Sequence, residues 1–254
     1  MPVLGRLAGE GTRSPLGNRL MSHHWGMAVD LDRCTGCEAC VIACQAENNV
    51  PTVGEEAARR SRTMHWIRIE RYYEGEFPNP RVRFRPVLCQ QCDNAPCEPV
   101  CPTYASYHTS EGLNAQIYNR CIGTRYCANA CPYTVRTFNF FNPAWDKPLH
   151  LQLNPDVSVR QVGVMEKCTF CVQRIKAAEI QAKAENRELR EGEPTPACVQ
   201  SCAPKALVFG DLNDPASEVS RLSRSPRGTK LLGELGTQPK ITYLQRESWN
   251  GEDR

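Results

Sequence analysis

Cys121–Pro132 reads CIGTRYCANACP, and its spacing decides the fold. Cysteines stand at 121, 127 and 131, proline follows the last, and Thr124 lies midway between the first two. A cysteine at 124 would complete C-x2-C-x2-C-x3-C-P. In bacterial ferredoxins that run places three thiolates on one iron–sulphur cluster and sends the fourth to another. The stretch therefore reads as a cluster-binding loop in which one ligand position has been replaced.

Three further runs surround it: Cys34, Cys37, Cys40 and Cys44; Cys89, Cys92, Cys97 and Cys101 with Pro102; and Cys168, Cys171, Cys198 and Cys202 with Pro204. The chain holds 15 cysteines, all of them inside the four runs, and the one vacant place is Thr124. An isolated C-x2-C pair would favour structural zinc. Triplets with a more distant fourth thiolate, recurring along one chain, fit cubane clusters better. No C-x-x-C-H occurs, so no c-type haem is attached by that motif. Nor does any run have the C-x3-C-x2-C spacing of radical enzymes built on S-adenosylmethionine.

If each run lends its fourth cysteine to a partner run, as two-cluster ferredoxins do, the ligand sets can be written down. The second and third runs are close in sequence and pair with each other; the first and fourth pair around them. One cluster then takes Cys34, Cys37, Cys40 and Cys202, and its neighbour takes Cys168, Cys171, Cys198 and Cys44. A third takes Cys89, Cys92, Cys97 and Cys131. The last is left with Cys101, Cys121 and Cys127, and three thiolates suit a [3Fe–4S] cluster. Two other accounts of the vacancy stay open: a [4Fe–4S] cluster with water or the Thr124 hydroxyl on its fourth iron, and a gap with no effect on electron flow.

The chain has 254 residues, enough for one large domain or two small ones. At 41% hydrophobic and 7% aromatic it is lean for a large apolar core, and cluster–ligand bonds can fix loops that packing would leave loose. A net charge of +3 is too small to argue for nucleic acid or an anionic membrane. Residues 1–33 show no apolar signal core and no paired arginines, so no export signal is expected. Apolar runs such as Ala206–Phe209 fall short of the roughly 18–20 residues of a membrane span. A partner would have to bring the chain to a membrane.

In chain order, residues 1–22 read as an extended arm. Gly26–Asp30 is a strand candidate and ACVIACQAEN a short helix. Residues 51–63 read as a surface loop. Trp66–Tyr73 and Arg81–Val87 alternate around the turn cluster EGEFPNP, which predicts a β-hairpin. Arg68, Glu70, Arg81, Arg83 and Arg85 are expected on its exposed face, either solvated or, on the sharper reading, against a partner. Val162–Glu166 is a strand candidate, Val172–Arg190 is helical by propensity, and Ala206–Gly210 is a closing strand. Asp214–Pro215 offers a cap for a helix over Ala216–Leu222. The expected fold is α+β, loop-rich, with two ferredoxin-like halves of the bacterial two-cluster type. The outer half comprises 23–50 and 162–212, the inner half 87–142, with a hairpin insertion at 51–86, a linker at 143–161 and a partner-binding tail at 213–254. The five histidines, His23, His24, His65, His108 and His150, read as structural, and no side chain reads as a catalytic acid, base or nucleophile.

The four-run layout resembles the electron-transfer subunits of the complex iron–sulphur molybdoenzyme family, such as dimethyl sulphoxide, polysulphide and nitrate reductases. HHWGMAVDLDRCTGCEACVIACQAENNVP, MHWIRIERYY, RPVLCQQCDNAPCEPVCPT, YNRCIGTRYCANACPY and LVFGDLNDP are similar to the iron–sulphur domain of the B subunit of alternative complex III, across roughly residues 23–248. That resemblance implies three [4Fe–4S] clusters and one [3Fe–4S], the latter nearest the quinol site of an integral-membrane partner. Electrons would pass on to c-type cytochrome subunits, and no haem or molybdopterin is expected in this chain. In that family the domain usually follows a molybdopterin-enzyme-like domain in one polypeptide. The expectation here is either a separate molybdopterin-like subunit or membership of another branch, such as the four-cluster subunit of a molybdopterin reductase. The implied location is peripheral within a membrane complex, on the periplasmic side. An iron–sulphur sensor or assembly scaffold is the reading from a different class; four clusters in series and the lack of a recognisable DNA-binding element count against it.

Overall fold

Strand β1 (Trp25–Asp30) is the apolar run WGMAVD ahead of the first cysteine, and it is buried along nearly its whole length. It belongs to a computed structural model that describes residues 23–245. The expected arm at 1–22 and residues 246–254 of the expected tail lie outside the described residues. Helix α1 (Ala39–Glu47) carries Cys40 and Cys44, and α2 (Glu55–Arg59) is a single turn within the expected loop. The hairpin forms as β2 (Ile67–Glu74) and β3 (Arg81–Leu88), antiparallel from Ile67↔Leu88 to Glu74↔Arg81. Then come β4 (Ser106–His108), β5 (Asn114–Gln116), α3 (Tyr126–Asn129), β6 (Thr137–Phe138) and β7 (Met165–Glu166). The C-terminal part supplies α4 (Val172–Ala184), α5 (Ala197–Gln200), β8 (Leu207–Asp211), α6 (Glu218–Ser223), β9 (Gly228–Thr229) and β10 (Ile241–Leu244). Short helices and small sheets that do not alternate as β-α-β units make this an α+β chain.

The main sheet has the order β8-β1-β10-β9. Because β1 runs straight into the first cysteine run and β8 follows the fourth, their antiparallel pairing, Val29↔Leu207 to Trp25↔Asp211, brings those two runs together. Helix α1 accordingly packs on α5. Between the second and third runs, β4 and β5 make a small hairpin, and β6 pairs with β7 beyond the third. Trp25 stacks against His23 at 4.7 Å and Phe209 at 5.4 Å. Gly26 leaves room for this layer, since a Cβ there would fall 2.4 Å from Leu212 Cδ1.

Within the expected partner-binding tail, β10 lies fully buried beside β1, in parallel register from Met27↔Ile241 to Asp30↔Leu244. Two expectations are corrected. The cap of α6 is Ser217, whose hydroxyl accepts from the Ser220 amide at 3.2 Å; Asp214 instead closes the preceding turn by accepting from the Ala216 amide. The charged face of the hairpin is half-buried except at Arg81. Arg68 donates to the carbonyls of Thr134 at 2.9 Å and Tyr133 at 3.1 Å, and it pairs with Glu70 at 2.6 Å. That face therefore lashes the insertion onto the turn after Cys131.

The stretch expected as a linker, 143–161, is pinned at its C-terminal end. Asn49 donates to the carbonyls of Asn154 at 2.9 Å and Val157 at 2.6 Å. Arg160 and Glu166 form a buried ion pair at 2.9 Å. Glu166 also accepts from Trp66 Nε1 and Asn139 Nδ2, so its carboxylate is not left short of partners. Ile241 is completely buried in β10. Ile241→Ala is expected to cost about 2–5 kcal/mol in denaturant unfolding, whereas the same change in a peripheral tail would leave the midpoint unmoved.

Candidate metal-cluster sites

The four cysteine runs share one backbone device. The residue before the second ligand position has a left-handed φ in every run: Gly36 at 70°, Gln91 at 49°, Gly123 at 73° and Phe170 at 56°. Such turns aim successive peptide N–H groups into a concavity that favours negative charge. Glycine supplies the turn at no steric cost in two runs, while Gln91 and Phe170 are held there by the surrounding fold. The residues after the second position, Glu38 and Arg125, share φ 62° and ψ 6°. Thr124 thus occupies in the third loop the place that Cys37 occupies in the first, and both side chains are exposed.

A second device follows the fourth cysteine of three runs. Tyr104, Thr134 and Lys205 have φ of 54°, 52° and 50°, and the chain turns back so that the amide of Ala105 reaches Cys101 Sγ and that of Ala206 reaches Cys202 Sγ, each at 3.2 Å. Cys121 Sγ accepts from the Met165 amide at 3.3 Å, and Cys168 Sγ from the Phe170 amide at 3.4 Å. In the first run Cys44 lies inside α1 instead. Asn48 fills the donor role there, approaching Cys44 Sγ at 3.6 Å and Cys171 Sγ at 3.7 Å.

Cys34, Cys37, Cys40 and Cys202 line one small cavity, closed by Ile69, Pro86 and Leu207. Cys89, Cys92, Cys97 and Cys131 line another, with Asn114, Tyr133 and Arg136. Cys44, Cys168, Cys171 and Cys198 are all buried, and the charges of the other three push the Cys44 thiol upward after burial has done so first. Cys101 and Cys121 sit at one end of the β4–β5 hairpin, where the Ile117 amide bonds the Ala105 carbonyl at 2.8 Å. Cys127 lies on the same loop as Cys121, beyond Thr124. The sets also lie within electrostatic reach of one another: Cys40 acts on Cys198, Cys89 acts on Cys168, and Arg136 feels both Cys131 and Cys127. The array runs from exposed Cys37 to exposed Thr124.

Electrostatics tests whether these donors fit a cluster. Burial, reinforced by neighbouring thiolates, pushes Cys40 and Cys92 up to about 12, and Cys97 to about 11. Burial also carries Cys168 to about 12, and Cys198 lies well above its ordinary range. Exposed Cys37 moves the other way, lowered chiefly by the Ala39 amide. Thiols raised as Cys40, Cys92, Cys97, Cys168 and Cys198 are would stay protonated at neutral pH unless a strongly cationic group were bound among them. Among the described residues, no three His, Cys, Asp or Glu side chains are grouped so as to hold a single metal ion. All-sulphur sets spread around a cavity suit a polynuclear iron cluster rather than one tetrahedral zinc.

The histidines stand apart from these sets. His23 bonds Asp211 at 2.8 Å, His24 bonds Asp93 at 3.0 Å and His108 bonds Glu98 at 3.0 Å. Sequence reading missed Asn48, Asn114 and Arg136 as neighbours of the cysteines. Arg136 had a signal: it follows Cys131 at the interval by which Ser106 follows Cys101 and Leu207 follows Cys202. Asn48 and Asn114 had none, because helix contact and strand pairing bring them in from outside the motifs.

Two profiles of the 4Fe-4S dicluster domain match this chain, over residues 33–105 and 80–147. The menaquinone reductase iron–sulphur cluster-binding subunit of Nitratidesulfovibrio vulgaris is 43% identical over 230 residues, covering 89% of this chain and 90% of the relative. The chain belongs to the family of iron–sulphur electron-transfer subunits of oxidoreductase complexes. Within it, the Hdr-like menaquinol oxidoreductase iron–sulphur subunit 1 of Archaeoglobus fulgidus is 40% identical over 240 residues, covering 87% of this chain and 83% of the relative. The arsenate respiratory reductase iron–sulphur subunit of a Shewanella species is 34% identical over 248 residues, covering 87% and 95%. Among the described residues no helix is long and apolar enough to cross a membrane.

Gly123 carries the third loop's turn, where an added Cβ would fall 2.3 Å from the Gly163 carbonyl. Gly123→Ala is expected to cost about 1–3 kcal/mol and to lower the iron retained after gel filtration. Gly54→Ala, where nothing lies within 4 Å of the new Cβ, should retain iron like the unsubstituted chain.

Proposed function

We propose that this chain relays single electrons between a quinone-linked membrane partner and a second redox subunit, in an assembly of the alternative complex III kind. Three [4Fe–4S] clusters and one [3Fe–4S] cluster would be held by the four cysteine sets: Cys34, Cys37, Cys40 and Cys202; Cys44, Cys168, Cys171 and Cys198; Cys89, Cys92, Cys97 and Cys131; and Cys101, Cys121 and Cys127. Bound clusters supply one-electron stations whose potentials follow cluster type, charge, hydrogen bonds to sulphur and exposure. The chain's own residues do the rest. Amides of Ala105, Ala206, Phe170 and Met165 stabilise thiolate charge, and Asn48 serves two sulphurs at once. Buried side chains keep water from the two inner sets, while Cys37 and Thr124 leave both ends of the array open to partners.

The observation that carries the reading is Thr124. Its loop has the same turn as the Cys37 loop, so the backbone is ready for a fourth thiolate and the side chain offers a hydroxyl instead. The names of two relatives, a menaquinone reductase subunit and a menaquinol oxidoreductase subunit, favour a quinone as the small redox partner. A peripheral position against an integral-membrane quinol-binding subunit follows from that, with a molybdopterin-like subunit and c-type cytochromes as further partners on the periplasmic face. The second reading, a four-cluster subunit feeding a molybdopterin reductase, is favoured by relatives named for dimethyl sulphoxide and arsenate reductases.

Thr124→Cys tests the site in the assembled complex. The substitution is expected to add one iron, to abolish the oxidised-state [3Fe–4S] EPR signal and to slow electron exchange with menaquinol at least tenfold. A variant with an unchanged EPR spectrum and unchanged redox titration would refute the assignment. Co-purifying subunits separate the two readings: cytochromes support the first, and an active molybdopterin subunit supports the second.

A further inference from the structure

Arg136 is 6% exposed, yet among the described residues every hydrogen bond it makes goes to an uncharged group. Nη1 donates to Ser106 Oγ at 2.9 Å and Gln116 Oε1 at 3.0 Å, and Nη2 donates to Asn114 Oδ1 at 2.8 Å. Among the described residues no carboxylate lies within ion-pair distance of it. A second buried basic side chain, Lys167, donates to the backbone carbonyls of Asn114 and Cys168. Asn114 thus holds one basic residue by its side chain and another by its backbone.

A guanidinium does not shed its proton in a protein, and a buried charge without a counter-charge is strongly destabilising. Its compensation must therefore come from another negative group. The sulphurs of Cys89, Cys97 and Cys131 on one side, and of Cys127 beyond its partners Ser106 and Gln116 on the β4–β5 hairpin, lie within its electrostatic reach. Those cysteines come from two of the four sets. Arg136 also lines the cavity of Cys89, Cys92, Cys97 and Cys131 directly. At the matching step after the other turns stand buried Ser106 and Leu207, neither of which is charged. The repeated architecture makes this position internal, and the third run alone spends it on a cation.

We propose that Arg136 is a potential-setting residue. Its fixed positive charge, held between the Cys89/Cys92/Cys97/Cys131 set and the Cys101/Cys121/Cys127 set by neutral partners, makes those two clusters easier to reduce than they would be without it. Reduction adds one electron to a cluster, and that added charge is what the guanidinium stabilises; no bond forms or breaks and no proton moves. The inference rests on the cluster assignment given under Proposed function.

The test is an EPR-monitored redox titration of the intact complex carrying Arg136→Gln, Arg136→Lys or Gln116→Glu, with iron and sulphide measured on each sample. In Arg136→Gln the reduced-to-oxidised ratio of the two clusters at a fixed ambient potential should fall about tenfold, which is a shift of about 59 mV for a one-electron couple. Arg136→Lys keeps the charge and should titrate close to the unsubstituted protein. Gln116→Glu keeps the shape and sets a carboxylate against the guanidinium, so it should shift both clusters in the same direction as Arg136→Gln. The Cys34/Cys37/Cys40/Cys202 cluster should not move in any of them. If Arg136→Gln loses iron, Gln116→Glu decides the matter alone. Unshifted potentials in Gln116→Glu at full iron content, or a shift in Arg136→Lys as large as in Arg136→Gln, would overturn the proposal. Failure of the cluster assignment itself has a different signature, namely too little iron in the unsubstituted complex.

Discussion

Thiolate charge must be held inside the protein, and the rest of the structure is arranged around that constraint. Most of the cysteines are buried, several are driven to about 11 or 12 by burial and by one another, and bare thiolates at such density would repel. Iron offsets that repulsion, and the polypeptide contributes smaller corrections: left-handed turns that aim amides at sulphur, one asparagine bonded to two sulphurs, and a guanidinium without a carboxylate. Each correction is modest alone, since a hydrogen bond to a charged group contributes about 1.5–3 kcal/mol. The turn before the second ligand position recurs in all four loops although the residues that make it differ.

The sheet serves that end by closing the chain on itself. Pairing β1 with β8 brings the first and fourth runs together, and β10 then seals the outer side of β1. Helices are short because most of each loop is committed to ligand geometry. The hairpin is bound at its root rather than free: Phe84 fills the space above Gly36, and Arg68 is fastened to the Tyr133 and Thr134 carbonyls. One insertion thereby spans the loops of the first and third runs. This is how an apolar-poor sequence still obtains a continuous core, with cysteines counted among its buried residues.

Much of this could be read from residue order. Cysteine spacing located the four loops and the vacancy at Thr124, the alternation around EGEFPNP indicated the hairpin and its two faces, and the GMAVD run indicated its strand. What escaped depends on contacts distant in sequence. ITYL at 241–244 is too short and too flanked by polar residues to declare itself a core strand; its parallel partner lies at the other end of the chain. The arginines of the hairpin alternate as a solvent face would, and only the turn after Cys131 makes them half-buried. Asp214–Pro215 resembles a helix start by composition, yet Ser217 is the residue whose hydroxyl meets a free amide of α6. Gln91 and Phe170 adopt left-handed turns that no sequence rule assigns to them. Charge compensation of Arg136 was equally hidden, because it requires knowing which thiolates surround it.

The central claim is that four cysteine sets hold three complete clusters and one incomplete one, and iron stoichiometry joined to anomalous scattering at the iron edge tests it most directly. The account predicts about 15 irons per chain, in three four-iron peaks and one three-iron peak, the smallest lying beside Thr124. Four equal peaks, or peaks of one zinc-sized atom within each cysteine set, would contradict it.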